Sequence, residues 1–132
     1  NQRDDLLSME TGILANKGRV HFTLGNRIND ELKKLDPKME KNELFAVIAG
    51  IIDREIYRHY RFYPCNYVAY DMLSGTRHFS ANYGLKDKKA FEEYLQGQLD
   101  KIVIPNKDED FLRRKILEMY TNPLKNFLSL EK

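Results

Sequence analysis

Apolar side chains recur at helical spacing along most of this chain. Leu6, Leu7, Met9, Ile13 and Leu14 follow Asp4 and Asp5, which predicts a short amphipathic helix over residues 4–15, ending before Asn16-Lys17-Gly18. The period then changes. Val20, Phe22 and Leu24 alternate with Arg19, His21 and Thr23 between two glycines, the two-residue repeat of a strand over residues 19–24. Ile102-Val103-Ile104, stopped by Pro105, is a second and weaker strand candidate.

From residue 28 the pattern is helical again. Asn29 or Asp30 opens a short turn through Leu35, and Asp36-Pro37 breaks it, with Pro37 suited to a first helical position. A long helix follows over about 41–62, with Leu44, Phe45, Ile48, Ile51, Ile52 and Ile56 on one face, extended by Tyr60. Pro64 ends it and starts the next helix, Cys65 to Leu73, which Ser74-Gly75 stops. Asp87 is the expected cap of a helix carrying Phe91, Tyr94, Leu95, Leu99 and Ile102. Asp108 caps another with Phe111, Leu112, Ile116, Met119 and Tyr120, and Asn122-Pro123 turns the chain into a last segment. The expected fold is therefore mainly α, with five to six helices and one short strand near residues 19–24.

That strand is the anomaly, because a lone strand leaves amides and carbonyls unpaired on both edges. It pairs with residues 102–104, with a second copy of the chain in a dimer, or with a sheet lying upstream. The chain opens on Asn1 without Met or a signal-peptide pattern, so the upstream sheet of a longer protein is the favoured expectation.

The composition is that of a globular domain: 132 residues, 42% hydrophobic and 32% charged, enough for one domain with its own core. The net charge of +2 argues against a nucleic-acid footprint. The longest apolar run, Leu44 to Ile52, is too short for a membrane span, so a soluble, cytoplasmic chain is expected. One cysteine, Cys65, excludes an internal disulfide and a multi-cysteine zinc site.

Catalytic patterns are scarce. His21, His59 and His78 show no metal-ligand or His-x-x-x-x-Asp spacing, the glycines form no phosphate loop, and no cofactor, metal or catalytic residue is expected. Cys65 at a helix start could have a lowered thiol pKa, or be a small half-buried packing residue. Arg54, Arg58 and Arg61, at i, i+4 and i+7, would share one helical face. Such a face suits anionic lipid headgroups or an acidic carrier protein, while the plainer reading is a solvated face balanced by Asp53 and Glu55. The aromatic run from Tyr60 to Tyr70 could stack bases or sit at a membrane interface; more simply, it fills a corner between helices, with Asn66 and Asp71 as hydrogen-bonding groups.

Several of these segments together resemble a known family. Ser8 to Leu14, followed by Gly18-Arg19-Val20-His21-Phe22-Thr23-Leu24-Gly25-Asn26-Arg27-Ile28, resembles the last strand of a glycerolipid acyltransferase domain, in which Pro often stands where this chain has Arg27. Ile52 to Tyr60 and Pro64-Cys65-Asn66-Tyr67-Val68-Ala69-Tyr70-Asp71-Met72-Leu73 resemble the helical C-terminal extension of a bacterial subgroup, the 1-acyl-glycerol-3-phosphate acyltransferase-like proteins. Met119 to Pro123 adds a weaker match. The family's His-x-x-x-x-Asp and Glu-Gly-Thr-Arg-like motifs are absent, so the resemblance carries no catalytic residue onto this chain.

The resemblance implies that residues 1–27 end a truncated catalytic α/β sheet and residues 28–132 form a helical C-terminal domain. The implied role is in phospholipid synthesis, as the catalytically incomplete end of an acyltransferase-like protein whose catalytic domain lies upstream of Asn1. Peripheral contact at the inner membrane face, or with an acyl carrier, would fall to Arg54, Arg58 and Arg61. The alternative is a self-contained helical module that binds another protein.

Overall fold

A computed structural model describes residues 2–14 and 18–130 and is mainly helical, as the apolar periodicity requires. Six α-helices occur among the described residues: α1 (Gln2–Leu14), α2 (Asn29–Leu32), α3 (Lys41–His59), α4 (Pro64–Ser74), α5 (Leu85–Asp100) and α6 (Glu109–Ser129). A single 3-10 turn, Ser80–Asn82, lies between α4 and α5.

The hub is α4. Its composition is apolar on two sides, so it packs most extensively on α6 and also on α5 and the 3-10 turn. Val68 and Ala69 of α4 meet Phe91 and Leu95 of α5 and Leu117 of α6 in the core, with Cys65, Met72, Leu73, Tyr83, Ile116 and Tyr120 around them. Both ends of α4 have a local cause. Pro64 occupies the first turn, where a missing N–H costs nothing. Gly75 adopts φ 66°, a left-handed conformation that closes the helix through its N–H to the Asp71 carbonyl.

Other boundaries depart from the sequence expectation. Pro37 does not open a helix; it sits in a turn closed by Met39 N–H to the Asp36 carbonyl. Instead Glu40 caps α3, its carboxylate accepting from the amides of Asn42 at 2.8 Å and Glu43 at 3.2 Å. Gly84, not Asp87, is the N-cap of α5, and Asp87 lies inside the first turn and accepts the Gly84 amide at 2.8 Å. Asp108 caps α6 as expected, accepting from Phe111 N–H at 2.9 Å.

The expected break at Asn122-Pro123 is absent, and α6 runs through Pro123 to Ser129. A proline inside a helix costs about 3 kcal/mol. Leu117, Thr121 and Leu124 are buried on both sides of it. Each fully buried leucine contributes roughly 1.5–3 kcal/mol, so tertiary packing outweighs the local penalty.

Residues 19–24 form no strand. Their backbone is irregular, with no sheet partner among the described residues, and Val20, Phe22 and Leu24 are 63%, 91% and 96% exposed. The candidate partner, residues 102–104, is likewise irregular, which removes the internal pairing. Every described side chain of α1 is exposed as well, and the expected end of that helix at residues 15–17 lies outside the described residues. No described helix is long and apolar enough to cross a membrane.

Candidate functional site

Helix α3 ends earlier than its periodicity suggests, and this reshapes the arginine face. Pro64 disfavours helical geometry at the residue before it, and Tyr63 is extended at φ −114°, ψ 161°. The chain leaves the helix at Tyr60, whose amide closes on the Tyr57 carbonyl at 3.4 Å. Arg54 and Arg58 therefore lie on α3, whereas Arg61 lies beyond it and the three do not form one helical face.

Their partners differ too. Arg54 Nη2 is 3.4 Å from Glu31 Oε2 of α2, and Arg58 Nη1 is 3.2 Å from Glu55 Oε1. Surface pairs of this kind are worth about 0–1 kcal/mol each, but they offset the charge. Arg61 instead sits over the Tyr63 ring, 5.8 Å from its centroid. Arg19, from the irregular segment, is 5.9 Å from the same centroid.

Glu55 is the anchor of this region. Its carboxylate accepts the Asn26 amide at 2.9 Å and lies 3.6 Å from His59 Nδ1, which also meets the Glu55 carbonyl at 2.9 Å. The Asn26 N–H foremost, then Arg58 and His59, hold this carboxyl below the usual carboxylate range against the opposing effect of desolvation. A salt-bridged acid thus ties the loop at Asn26 to α3. Between the segment and α3 lies an open cleft of about 640 Å³, whose lining includes Ile52, Ile56 and Tyr60 together with Arg19, His59 and Arg61.

A second cleft of about 450 Å³ adjoins it and shares Arg19 and Tyr63. Its walls are aromatic: Phe91, Tyr94 and Tyr120, with the Tyr120 hydroxyl donating to that of Tyr94 at 2.7 Å. Burial, then that contact with Tyr94, pushes the Tyr120 hydroxyl pKa up. Cys65 lines this cleft, and burial raises its thiol pKa more than the nearby amides of Asn66 and Cys65 lower it. The helix-start thiol is consequently a packing residue with little thiolate character.

The aromatic run is a filled corner. Phe62 contacts Tyr60, Tyr67 and Phe127 at centroid distances of 5.4, 6.0 and 5.3 Å, and Phe79 contacts Tyr67 and Tyr70 at 5.3 and 5.0 Å. These rings spend their faces and edges on one another. Asn66 and Asp71 are the corner's hydrogen-bonding groups. Asn66 accepts from Tyr63 N–H at 2.9 Å and donates to the Tyr120 carbonyl at 2.8 Å. Asp71 accepts from the Phe79 amide and the Tyr83 hydroxyl, fixing the loop after α4. Among the described residues no group of three or more His, Cys, Asp and Glu side chains could hold a metal ion.

Sequence reasoning missed Arg19, Asn26 and Glu55 as parts of one cleft. The only local signal was composition, since Asn26 and Glu55 meet across 29 positions. Compared with family models, curated proteins and solved structures, the chain finds no match.

Proposed function

We propose that this chain is the C-terminal region of an acyltransferase-like protein of phospholipid synthesis, with the catalytic domain preceding it. In this reading residues 19–24 add a strand to the catalytic sheet, α1 packs beside that sheet, and α3–α6 brace it. The observation that carries the reading is residues 19–24, where a strand-patterned segment holds Val20, Phe22 and Leu24 in solvent with no sheet partner among the described residues. Apolar chains alternating along an unpaired backbone are what strand addition requires, since main-chain bonds give affinity and alternate side chains give register. The exposed Leu6, Leu7, Ile13 and Leu14 of α1 belong to the same unpartnered region.

Contact with an anionic membrane surface or an acyl carrier is part of the proposal. Because Glu31 and Glu55 offset Arg54 and Arg58, Arg61 becomes its main cation. Binding to anionic liposomes that weakens with salt is the expected behaviour. The alternative, a self-contained helical interaction module, draws support from the core formed by α4, α5 and α6 without residues 2–27.

The test is an acyltransfer assay on the natural polypeptide isolated from source cells, with an acyl thioester donor and 1-acyl-glycerol-3-phosphate acceptor. Activity in that polypeptide and none in the 132-residue chain alone is expected. An inactive natural polypeptide would reject the acyltransferase reading in favour of the interaction module.

A further inference from the structure

The second cleft is an aromatic surface that already holds a cation from its own chain. Asp87, Ala90, Phe91 and Tyr94 fall at i, i+3, i+4 and i+7, so they share one face of α5, and all four line the cleft. Ala90 ends at Cβ and leaves that face open between Asp87 and Tyr94. Pro64 and Cys65 of α4, Tyr120 of α6 and Tyr63 complete the walls. Gly18, at φ 64°, turns the chain just before Arg19, which reaches the cleft from the irregular segment.

The chemistry of these walls suits positive charge. Aromatic faces attract cations, and a planar guanidinium also stacks on them. Burial keeps the Cys65 thiol and the Tyr120 hydroxyl protonated, so Asp87 supplies the negative charge of the lining. Its Oδ2 accepts the Gly84 amide at 2.8 Å, which fixes the carboxylate at the start of α5. Among the described residues Arg19 is the cation that lines this cleft, its guanidinium carbon 5.9 Å from the Tyr63 ring centroid. Arg61 lies 5.8 Å from the same centroid but lines the first cleft and not this one. Arg19 is solvent-exposed and its segment has no regular structure, so nothing locks it in place.

We propose that this cleft is a docking surface for an arginine-bearing, extended segment of a partner polypeptide, with Arg19 as its intramolecular occupant and competitor. The seated Arg19 defines the ligand chemistry, and Asp87 supplies the complementary charge. A partner arginine brings the same guanidinium to the same rings once Arg19 moves away. An exposed cation–aromatic contact favours the occupied state enough to lower a competitor's apparent affinity about three- to sixfold. The inference does not rest on the acyltransferase reading, because Arg19→Ala vacates the cleft in the 132-residue chain without any upstream sheet.

The test titrates the 132-residue chain and its Arg19→Ala variant with acetyl-Gly-Arg-Val-amide, a peptide copying residues 18–20, and follows aromatic side-chain resonances. Saturable shifts at Tyr63, Phe91, Tyr94 and Tyr120 are expected, with Arg19→Ala binding about three- to sixfold more tightly than the unaltered chain. The same peptide with citrulline in place of arginine keeps the shape without the charge, and should give no saturable shift. Asp87→Asn, added to Arg19→Ala, retains an acceptor for the Gly84 amide and should weaken binding about two- to fivefold.

Arg54→Ala controls for net charge. Arg54 is paired with Glu31 and lines neither cleft, so its removal should leave affinity within about twofold of the unaltered chain. Unchanged circular dichroism establishes that each variant folds. No saturable shift in either protein would overturn the proposal, as would equal affinity in the Arg19→Ala and unaltered chains. So would equal binding of the citrulline peptide, or a gain in Arg54→Ala matching that in Arg19→Ala.

Discussion

Replacing Asn66 by alanine removes both hydrogen bonds that fix the start of α4. One is the bond from the Tyr63 amide, which satisfies a donor at the helix entrance; the other reaches the Tyr120 carbonyl and ties α4 to α6. Asn66 is 5% exposed, so water cannot readily substitute at either position. A lost helix-end bond costs about 1 kcal/mol. A buried amide-to-carbonyl bond contributes about as much, and the small cavity left by truncation adds a similar amount. Asn66→Ala should therefore lose about 3 kcal/mol in urea unfolding at unchanged m-value, and roughly 10 °C in Tm. Asn66→Asp separates the two bonds. It keeps an acceptor for Tyr63 N–H, but sets a carboxylate oxygen against a carbonyl once 2.8 Å from the amide nitrogen. It should be destabilised at neutral pH and recover as the acid is protonated and donates again. A loss below about 0.5 kcal/mol for Asn66→Ala would refute the corner role, since it would fall within ordinary surface variation.

Other predictions follow from single contacts. The Thr121 hydroxyl is fully buried without a hydrogen-bond partner among the described residues, so Thr121→Val should stabilise the chain by about 1–2 kcal/mol in the same denaturation assay. The Glu55 carboxyl is held below its ordinary value by the Asn26 amide first and by Arg58, so its anchoring is present above the unfolded-state pKa and lost as pH falls through the lower folded one. Amide exchange at Asn26 should accelerate in that acid range, and Glu55→Gln should weaken the pH dependence. Intact-mass measurement of the immunoprecipitated natural polypeptide should give well over twice 15.6 kDa; a mass near 15.6 kDa would favour the interaction module.

The helical parts of the fold were legible wherever a local signal decided them. The Pro64 start and the Gly75 stop each act through their own backbone, and the Asp108 cap through a carboxylate that reaches an amide three residues on. The α5 start was misplaced because a first-turn acid can cap from its own position or reach back to an amide three residues earlier, as Asp87 does to Gly84. Pro123 reads as a break because only the burial of Leu117, Thr121 and Leu124 reveals why the helix continues. The long apolar face of α3 was also overread: Ile51 is buried, while Phe45, Ile52 and Ile56 are exposed.

The candidate cleft was the least legible part. Its contacts join positions far apart, and no spacing rule links Arg19 with Arg61 or Asn26 with Glu55. The Arg54, Arg58 and Arg61 spacing assumed that α3 continues to residue 62, and the helix ends at His59. For the aromatic corner, identity and position sufficed, because large rings beside Pro64 have to pack where the chain turns. Asn66 was also recognisable as a corner group, although its partner, 54 positions away, was not.

Hydrogen exchange over residues 19–24 tests the central claim most directly, measured in the natural polypeptide and in the 132-residue chain alone. In the isolated chain the segment is irregular and exposed, so its amides should exchange at nearly unprotected rates. Strand addition to an upstream sheet predicts strong protection at alternating amides in the natural polypeptide, with the other face of the ladder protected if the strand is central. Equally fast exchange in both would contradict the account.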